Sequence, residues 1–185
     1  MAGLDPATHA VVHALGARLA ADAERVAERY VADLRADPRF PGVRDLPVAQ
    51  LRNHTTPLIG LLASQLMTIG ETRGRAPELL GDGAQVQRLM AELHGGQRHR
   101  LGWTEADLER EMPLLRAEVA SALEGAVRAV APDTDGVAEG AVGGADPGVV
   151  AAAVRYAEEV ARQVLDQHLQ TSIRAYRAAQ VTGTP

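Results

Sequence analysis

The 185-residue sequence contains no cysteine and no lysine, because all 19 of its basic residues are arginine. The absence of cysteine excludes disulfides, thiolate metal ligands and cysteine nucleophiles. The absence of lysine excludes a Walker-A phosphate loop, Schiff-base chemistry and the Ser-x-x-Lys nucleophile, since each of them requires a primary amine. Several large classes of enzyme are therefore excluded before any motif is considered.

Aromatic residues are scarce, with one Phe, one Trp and three Tyr in a chain that is 46% hydrophobic. The apolar content is therefore mainly Ala, Leu and Val, which suits closely packed helices better than a strand-rich core. The length is sufficient for one substantial core without metals or crosslinks. We expect an all-α fold and a single domain over residues 1–185.

Long apolar runs are also missing, because no stretch approaches the roughly 18 consecutive residues that a membrane helix needs. The N-terminus does not have the pattern of a secretory signal peptide. The net charge is −5, and the arginines are scattered rather than gathered into the basic face that phosphate-backbone binding needs. We therefore expect a cytoplasmic protein that neither spans a membrane nor binds nucleic acid.

The first predicted helix begins at Asp5-Pro6, where an N-cap residue precedes a proline in the first turn. Apolar residues then recur at helical spacing up to about Ala36. Pro38 and Pro41 end this helix, because proline lacks the backbone donor and disfavours helical geometry in the residue before it. A short irregular connection is expected to follow.

A second helical pattern begins near Pro47 and contains Pro57. We expect a kink or a restart at Pro57, capped by Thr55 or Thr56. Residues 70–83 are rich in glycine and predict a loop with at most one short turn.

A third helix is expected to end near Gly102. Thr104 and Asp107 then have the spacing of a capping box, with Asp in place of the usual Glu, and they precede the cleanest amphipathic pattern in the chain. Pro113 lies inside that pattern and predicts a bend in the helix.

Residues 1–130 are thus expected to form the core of a helical bundle. Residues 131–148 combine Gly, Ala, Pro and Asp without periodicity and predict a flexible connection. A long terminal helix is predicted over 149–180, and we interpret it as a dimerisation or signal-transmitting helix. Its apolar stripe includes Val150, Val154, Ala157, Ala161 and Val164.

The strongest local chemistry is a set of four polar residues, His94, Arg98, Glu111 and Arg116. On a helix, His94 and Arg98 stand one turn apart on the same face. The four residues could line a polar ligand pocket, or they could mark a helix crossing at which Arg98 pairs with Glu111. The second interpretation is favoured, because buried charges normally persist only when they are paired.

These residues resemble the N-terminal domain of RsbT co-antagonist (RsbR-type) proteins, which also precedes some sensor histidine kinases. That family shows a His-Ala-x-x-Arg element, a glycine a few residues later, and a helix that reads approximately Arg-Glu-Tyr-x-x-Leu-Arg. The chain differs at Gly95, where the family usually has Ala, and at Met112, where it usually has Tyr. Weaker resemblance extends over most of the chain. The matching residues are His94, Arg98, Gly102, Arg110, Glu111, Leu115 and Arg116.

The resemblance implies a globin-like bundle of about five to seven helices, usually without haem, that homodimerises. It further implies a non-catalytic input domain of a stressosome-type or histidine-kinase-type regulator, with a STAS or kinase module as its output. A haem-binding sensor with His94 as the iron ligand is the alternative, although the chain offers few aromatic residues to enclose a porphyrin. A weaker alternative is a small enzyme that uses Glu111 and His94 as acid and base.

Other candidate sites have little support. His9 and His13 are spaced one helical turn apart but have no third ligand, so a solvated pair is favoured over a zinc site. None of the three serines, Ser64, Ser121 and Ser172, lies in a Gly-x-Ser-x-Gly motif. We therefore predict neither a metal site nor catalytic residues.

Overall fold

The computed structural model describes residues 4–130 and 146–182, and these residues form helices and connecting turns without a β-strand. The all-α prediction is therefore confirmed, and the number of helices lies in the predicted range. No helix among the described residues combines the length and hydropathy that a membrane crossing requires. In chain order the elements are α1 (Pro6–Ala36), a 3-10 turn (Pro41–Val43), α2 (Val48–Arg52), α3 (Thr55–Thr72), α4 (Pro77–Arg100), α5 (Glu105–Val130) and α6 (Pro147–Thr182).

Helix α1 is central and packs against α3, α5 and α6. It begins as predicted, because the Asp5 carboxylate accepts hydrogen bonds from the backbone N–H groups of Ala7 and Thr8 at 2.9 and 3.0 Å. Its crossing with α3 depends on glycine: a Cβ atom at Gly16 would lie 2.8 Å from the carbonyl oxygen of Ala63. This close approach brings the two backbones almost into contact.

The predicted restart of the second helical pattern occurs before Pro57, not at it. Helix α3 begins at Thr55, and neither Thr55 nor Thr56 caps it, because His54 occupies the N-cap position without a side-chain bond. Pro57 is then the third helical residue. The first four N–H groups of a helix have no helical acceptor, so a proline is tolerated there without loss of a bond.

The prediction of a loop over residues 70–83 is wrong. Helix α3 continues to Thr72, the turn is confined to the few residues around Arg73 and Gly74, and α4 has already begun at Pro77. Both turn residues have positive φ, 53° and 71°. Proline in the first turn starts a helix as readily as it ends one, and each interior glycine costs only about 1 kcal/mol relative to alanine.

The predicted capping box at the start of α5 is confirmed. The backbone N–H of Thr104 donates to Asp107 Oδ2 at 2.8 Å, and the N–H of Asp107 donates to Thr104 Oγ1 at 3.2 Å. The helix then continues through Pro113, which lies on its exposed side. Glu109, whose carbonyl loses its helical partner, is exposed as well, so that water can bond to this carbonyl.

Helix α6 packs inside the bundle, against α4, α5 and α1. Four residues of its predicted signalling stripe, Val150, Ala157, Ala161 and Val164, are buried by the chain's own helices, and Val154 is half-buried. The stripe therefore forms part of the core and is not a free face. Most of the predicted flexible connection, residues 131–145, lies outside the described residues.

Candidate functional site: a buried ionic cluster

Glu111 of α5 lies at the centre of a buried polar cluster that joins three helices. Its Oε2 accepts hydrogen bonds from the Tyr30 hydroxyl of α1 at 3.1 Å and from Arg98 Nε of α4 at 3.0 Å. Its Oε1 pairs with His94 Nε2, also on α4. Glu111 and Arg98 are each only 1% exposed. The carboxylate thus replaces its lost hydration with three protein partners, as a buried charge requires.

Arg98 extends the cluster to α2. Its two terminal nitrogens donate to the backbone carbonyls of Gln50 and Leu51 at 3.4 and 3.3 Å. These carbonyls lie near the end of a five-residue helix, where backbone carbonyls have no N–H donor within the helix. The guanidinium carbon also lies 4.3 Å from the ring centroid of Trp103, which is cation–π geometry. One arginine therefore contacts α2, α5 and the turn between α4 and α5.

Two further histidines flank His94. The ring centroid of His168, on α6, lies 5.2 Å from that of His94, and the centroid of His54 lies 6.4 Å away. His168 is 1% exposed, and its Nδ1 has no hydrogen-bond partner among the described residues. Burial, followed by the charge of His94, lowers the pKa of His168 to about 3. Burial and the same neighbour lower the pKa of His54 to about 4.

The electrostatics of the cluster favour a charged Glu111. Burial alone would raise the pKa of this carboxyl, but Arg98 and then His94 more than offset that effect, so that the pKa lies below its usual value. Burial alone would lower the pKa of Arg98, but the pKa is raised because the attraction of Glu111 opposes that effect. Burial and the Glu111 charge raise the pKa of the Tyr30 hydroxyl. The cluster at neutral pH is thus a buried ion pair with a tyrosine donor.

Three of the four predicted site residues come together, and one does not. His94, Arg98 and Glu111 form the cluster, in the helix crossing that the sequence favoured. Arg116 instead pairs with Asp166 of α6, and its side chain is 38% exposed. Five residues advance a helix by about 500°, which places Arg116 about 140° around α5 from Glu111.

Sequence patterns do not assign Tyr30, His54, His168 or Trp103 to this site. Tyr30 is recognisable from its spacing only as a member of the apolar stripe of α1. A polar group within an apolar stripe is the available signal for both Tyr30 and His168, because a buried hydroxyl or imidazole needs a partner. Their convergence on Glu111 and His94 depends on helix packing that no local pattern contains.

The surroundings of His94 do not fit an axial haem ligand. Its Nε2 is occupied by Glu111, it is 6% exposed, and two other imidazole rings pack beside it. Acid–base chemistry by Glu111 and His94 would require an open cleft, whereas both side chains lie in a packed crossing. The geometry therefore supports neither the haem-binding nor the enzymatic alternative. The chemical role that the cluster can fill is to hold helices together through charge.

The comparisons with known proteins find no counterpart: no family model matches the chain, and neither a curated protein nor a solved structure matches it significantly. The kinship with RsbR-type N-terminal domains therefore remains a prediction that rests on the matching residues between His94 and Arg116.

Proposed function

We propose that the chain is a non-catalytic signalling input domain that acts through homodimerisation and contacts with a downstream STAS, kinase or other signalling module. The observation that carries this proposal is the position of α4. One side of this helix is apolar and exposed, and another side carries His94 and Arg98 of the buried cluster. A contact on the outer surface of α4 therefore acts on a helix that also bonds, through His94 and Arg98, to the interior of the bundle.

The exposed side of α4 forms an apolar stripe of four large residues, each about half exposed. Leu79, Val86 and Leu93 are seven residues apart, which is the repeat by which helices pair in coiled coils. Large apolar side chains gathered on one exposed helix face are typical of interaction surfaces. The stripe consists of Leu79 (54% exposed), Val86 (49%), Leu89 (56%) and Leu93 (48%).

A second copy of the chain is the occupant that this stripe suits best. Asp82 and Arg100 lie on the same side of α4 as the stripe, where both are exposed and opposite in charge. An antiparallel two-fold pairing of α4 can set Asp82 of one copy next to Arg100 of the other while Leu89 meets Leu93. A surface that complements itself in this way is what an isologous dimer requires.

A change in the pairing of α4 would be transmitted to the interior of the bundle. Leu93, on the stripe, directly precedes His94, in the cluster. A shift of α4 would alter the bonds of Glu111 with α4, and through Arg98 the contacts with α2. Packed cores respond to such shifts by changing between discrete arrangements rather than by deforming smoothly. The resemblance to RsbR-type input domains supports the same role.

The dimer is tested with Leu89→Glu, which places a charge at the centre of the proposed interface. Wild-type protein should sediment as a dimer at high concentration, and Leu89→Glu should shift it to monomer, because burying an unpaired charge is costly. Val48→Glu is the matched control, since Val48 is 45% exposed but lies on α2. A wild-type protein that stays monomeric at high concentration contradicts the proposal, as does a Leu89→Glu protein that dimerises as well as Val48→Glu.

A further inference from the structure

A small pocket opens between the turn that follows α1 and the turn that precedes α5. Its volume is about 200 Å³, and its apolar walls are Phe40, Val43, Leu46, Leu101 and Trp103. The rings of Phe40 and Trp103 lie 5.4 Å apart at an interplanar angle of 34°. Two of the five aromatic residues of the chain, 63 positions apart in sequence, thus meet at one pocket.

Trp103, which forms one wall of the pocket, is held in place by two contacts. The guanidinium of Arg98 covers its ring, and its backbone carbonyl accepts a hydrogen bond from the Tyr176 hydroxyl of α6 at 2.7 Å. A wall that is ordered before binding spares a ligand the cost of ordering it.

The charges that line this pocket are already neutralised. Arg39 is bonded to Asp37 through Nε and Nη2, and Asp107 is bonded to Thr104 and Arg110. A charged ligand would lose its hydration without finding a free partner of opposite charge, whereas an uncharged ligand avoids that cost.

The size of the pocket limits the ligand further. Drug-sized ligands occupy pockets of about 300 Å³ or more, while an apolar cavity of about 150 Å³ accepts benzene. An aromatic ring can also make edge-to-face contact with an aromatic wall, which adds to the energy of burial.

We propose that this pocket binds an uncharged, planar molecule of one ring against the indole of Trp103. Arg98 connects that indole to Glu111, so that occupancy of the pocket bears directly on the buried cluster. The use of the pocket to receive a stimulus rests on the proposed function, but binding can be measured on the chain alone.

Trp103 is the only tryptophan in the sequence, so intrinsic fluorescence reports on this pocket alone. The full chain is titrated with benzyl alcohol, excited where the alcohol does not absorb, and compared with benzoate as a charged probe of the same ring size. We expect a saturable change with benzyl alcohol and weaker binding of benzoate. A change that does not saturate, or equal affinity for benzoate, overturns the proposal.

Two variants locate the binding site. A Cβ atom at Gly42, which lines the pocket, would meet no atom within 4 Å, and the same is true of Gly60 on α3. Gly42→Val and Leu46→Phe should weaken benzyl alcohol binding at least about tenfold, because each adds volume at the wall of the pocket, while Gly60→Val should bind as wild type does. Unchanged affinity in both pocket variants overturns the proposal. If benzyl alcohol does not bind but the α4 dimer forms, the pocket proposal fails and the signalling proposal stands. If benzyl alcohol binds but the protein never dimerises, the signalling proposal fails and the pocket proposal stands.

Discussion

At the scale of single residues, one buried carboxylate joins three helices, because Glu111 of α5 is bonded to Tyr30 of α1 and to Arg98 and His94 of α4. The pairing of Arg98 with Glu111 follows from the sequence, because two charges on apolar helices need each other once they are buried. Tyr30 and His168 could not be assigned in the same way, since each lies on another helix and nothing in its own neighbourhood specifies its partner. Arg116 belongs to the predicted set through both the local pattern and the family resemblance, but the helical advance from Glu111 carries it to the α5–α6 surface.

His168 makes stability depend on pH in a predictable direction. Its pKa is about 3 in the folded chain and near 6.5 when unfolded, so the unfolded state binds more protons between these values. The free energy of unfolding therefore falls as pH drops below about 6.5, by up to about 1.4 kcal/mol per pH unit from this residue. The groups that face it, His94, His54, Glu111 and Arg98, remain in place in the test variant.

Urea unfolding between about pH 6.5 and 5 measures this effect above the range in which Glu111 would contribute. We expect a smaller pH slope in His168→Gln than in wild-type protein, while Gln170→Ala, at an exposed position of the same helix without a titratable group, keeps the wild-type slope. Far-ultraviolet circular dichroism confirms that both variants are folded. Equal slopes in wild type and His168→Gln would contradict the assignment.

At the scale of elements, helix bounds follow well from periodicity and caps, and glycine is where the sequence misleads. Asp5 and the Thr104–Asp107 box mark real helix starts, because their hydrogen bonds are local. Gly81 and Gly83 predicted a loop but lie within α4, since the helix is stabilised by its packing on α6. The same residue type at Gly95 permits a close crossing of α4 with α6, because a Cβ atom there would overlap the backbone of Ser172.

Gly95 and Gly81 should respond oppositely to alanine. A Cβ atom at Gly95 would overlap the backbone carbonyl of Ser172 on α6, whereas one at Gly81 meets no atom within 4 Å. Thermal unfolding should show Gly95→Ala destabilised by about 1–3 kcal/mol, because backbone must move apart. Gly81→Ala should gain up to about 1 kcal/mol from helix propensity. A Gly95→Ala protein as stable as wild type would rule out the close crossing of α4 and α6.

At the scale of the whole molecule, composition was sufficient for the fold class but not for the arrangement. Scarce aromatics and abundant Ala, Leu and Val predict helices, and the described residues confirm them. Which apolar face remains outside depends on how the helices assemble, and periodicity does not reveal this. The stripe of α6, expected to transmit a signal, lies in the core, while an exposed stripe appears on α4.

If the buried cluster and the outer face of α4 are coupled, a change inside the cluster alters dimerisation, and Tyr30→Phe makes such a change. The variant removes one donor to Glu111 from α1 and leaves the α4 surface unchanged. Sedimentation equilibrium should show a dimer dissociation constant that differs from that of wild type by about fivefold or more, the usual size of coupling between sites. A folded Tyr30→Phe protein with the wild-type dissociation constant would contradict this coupling.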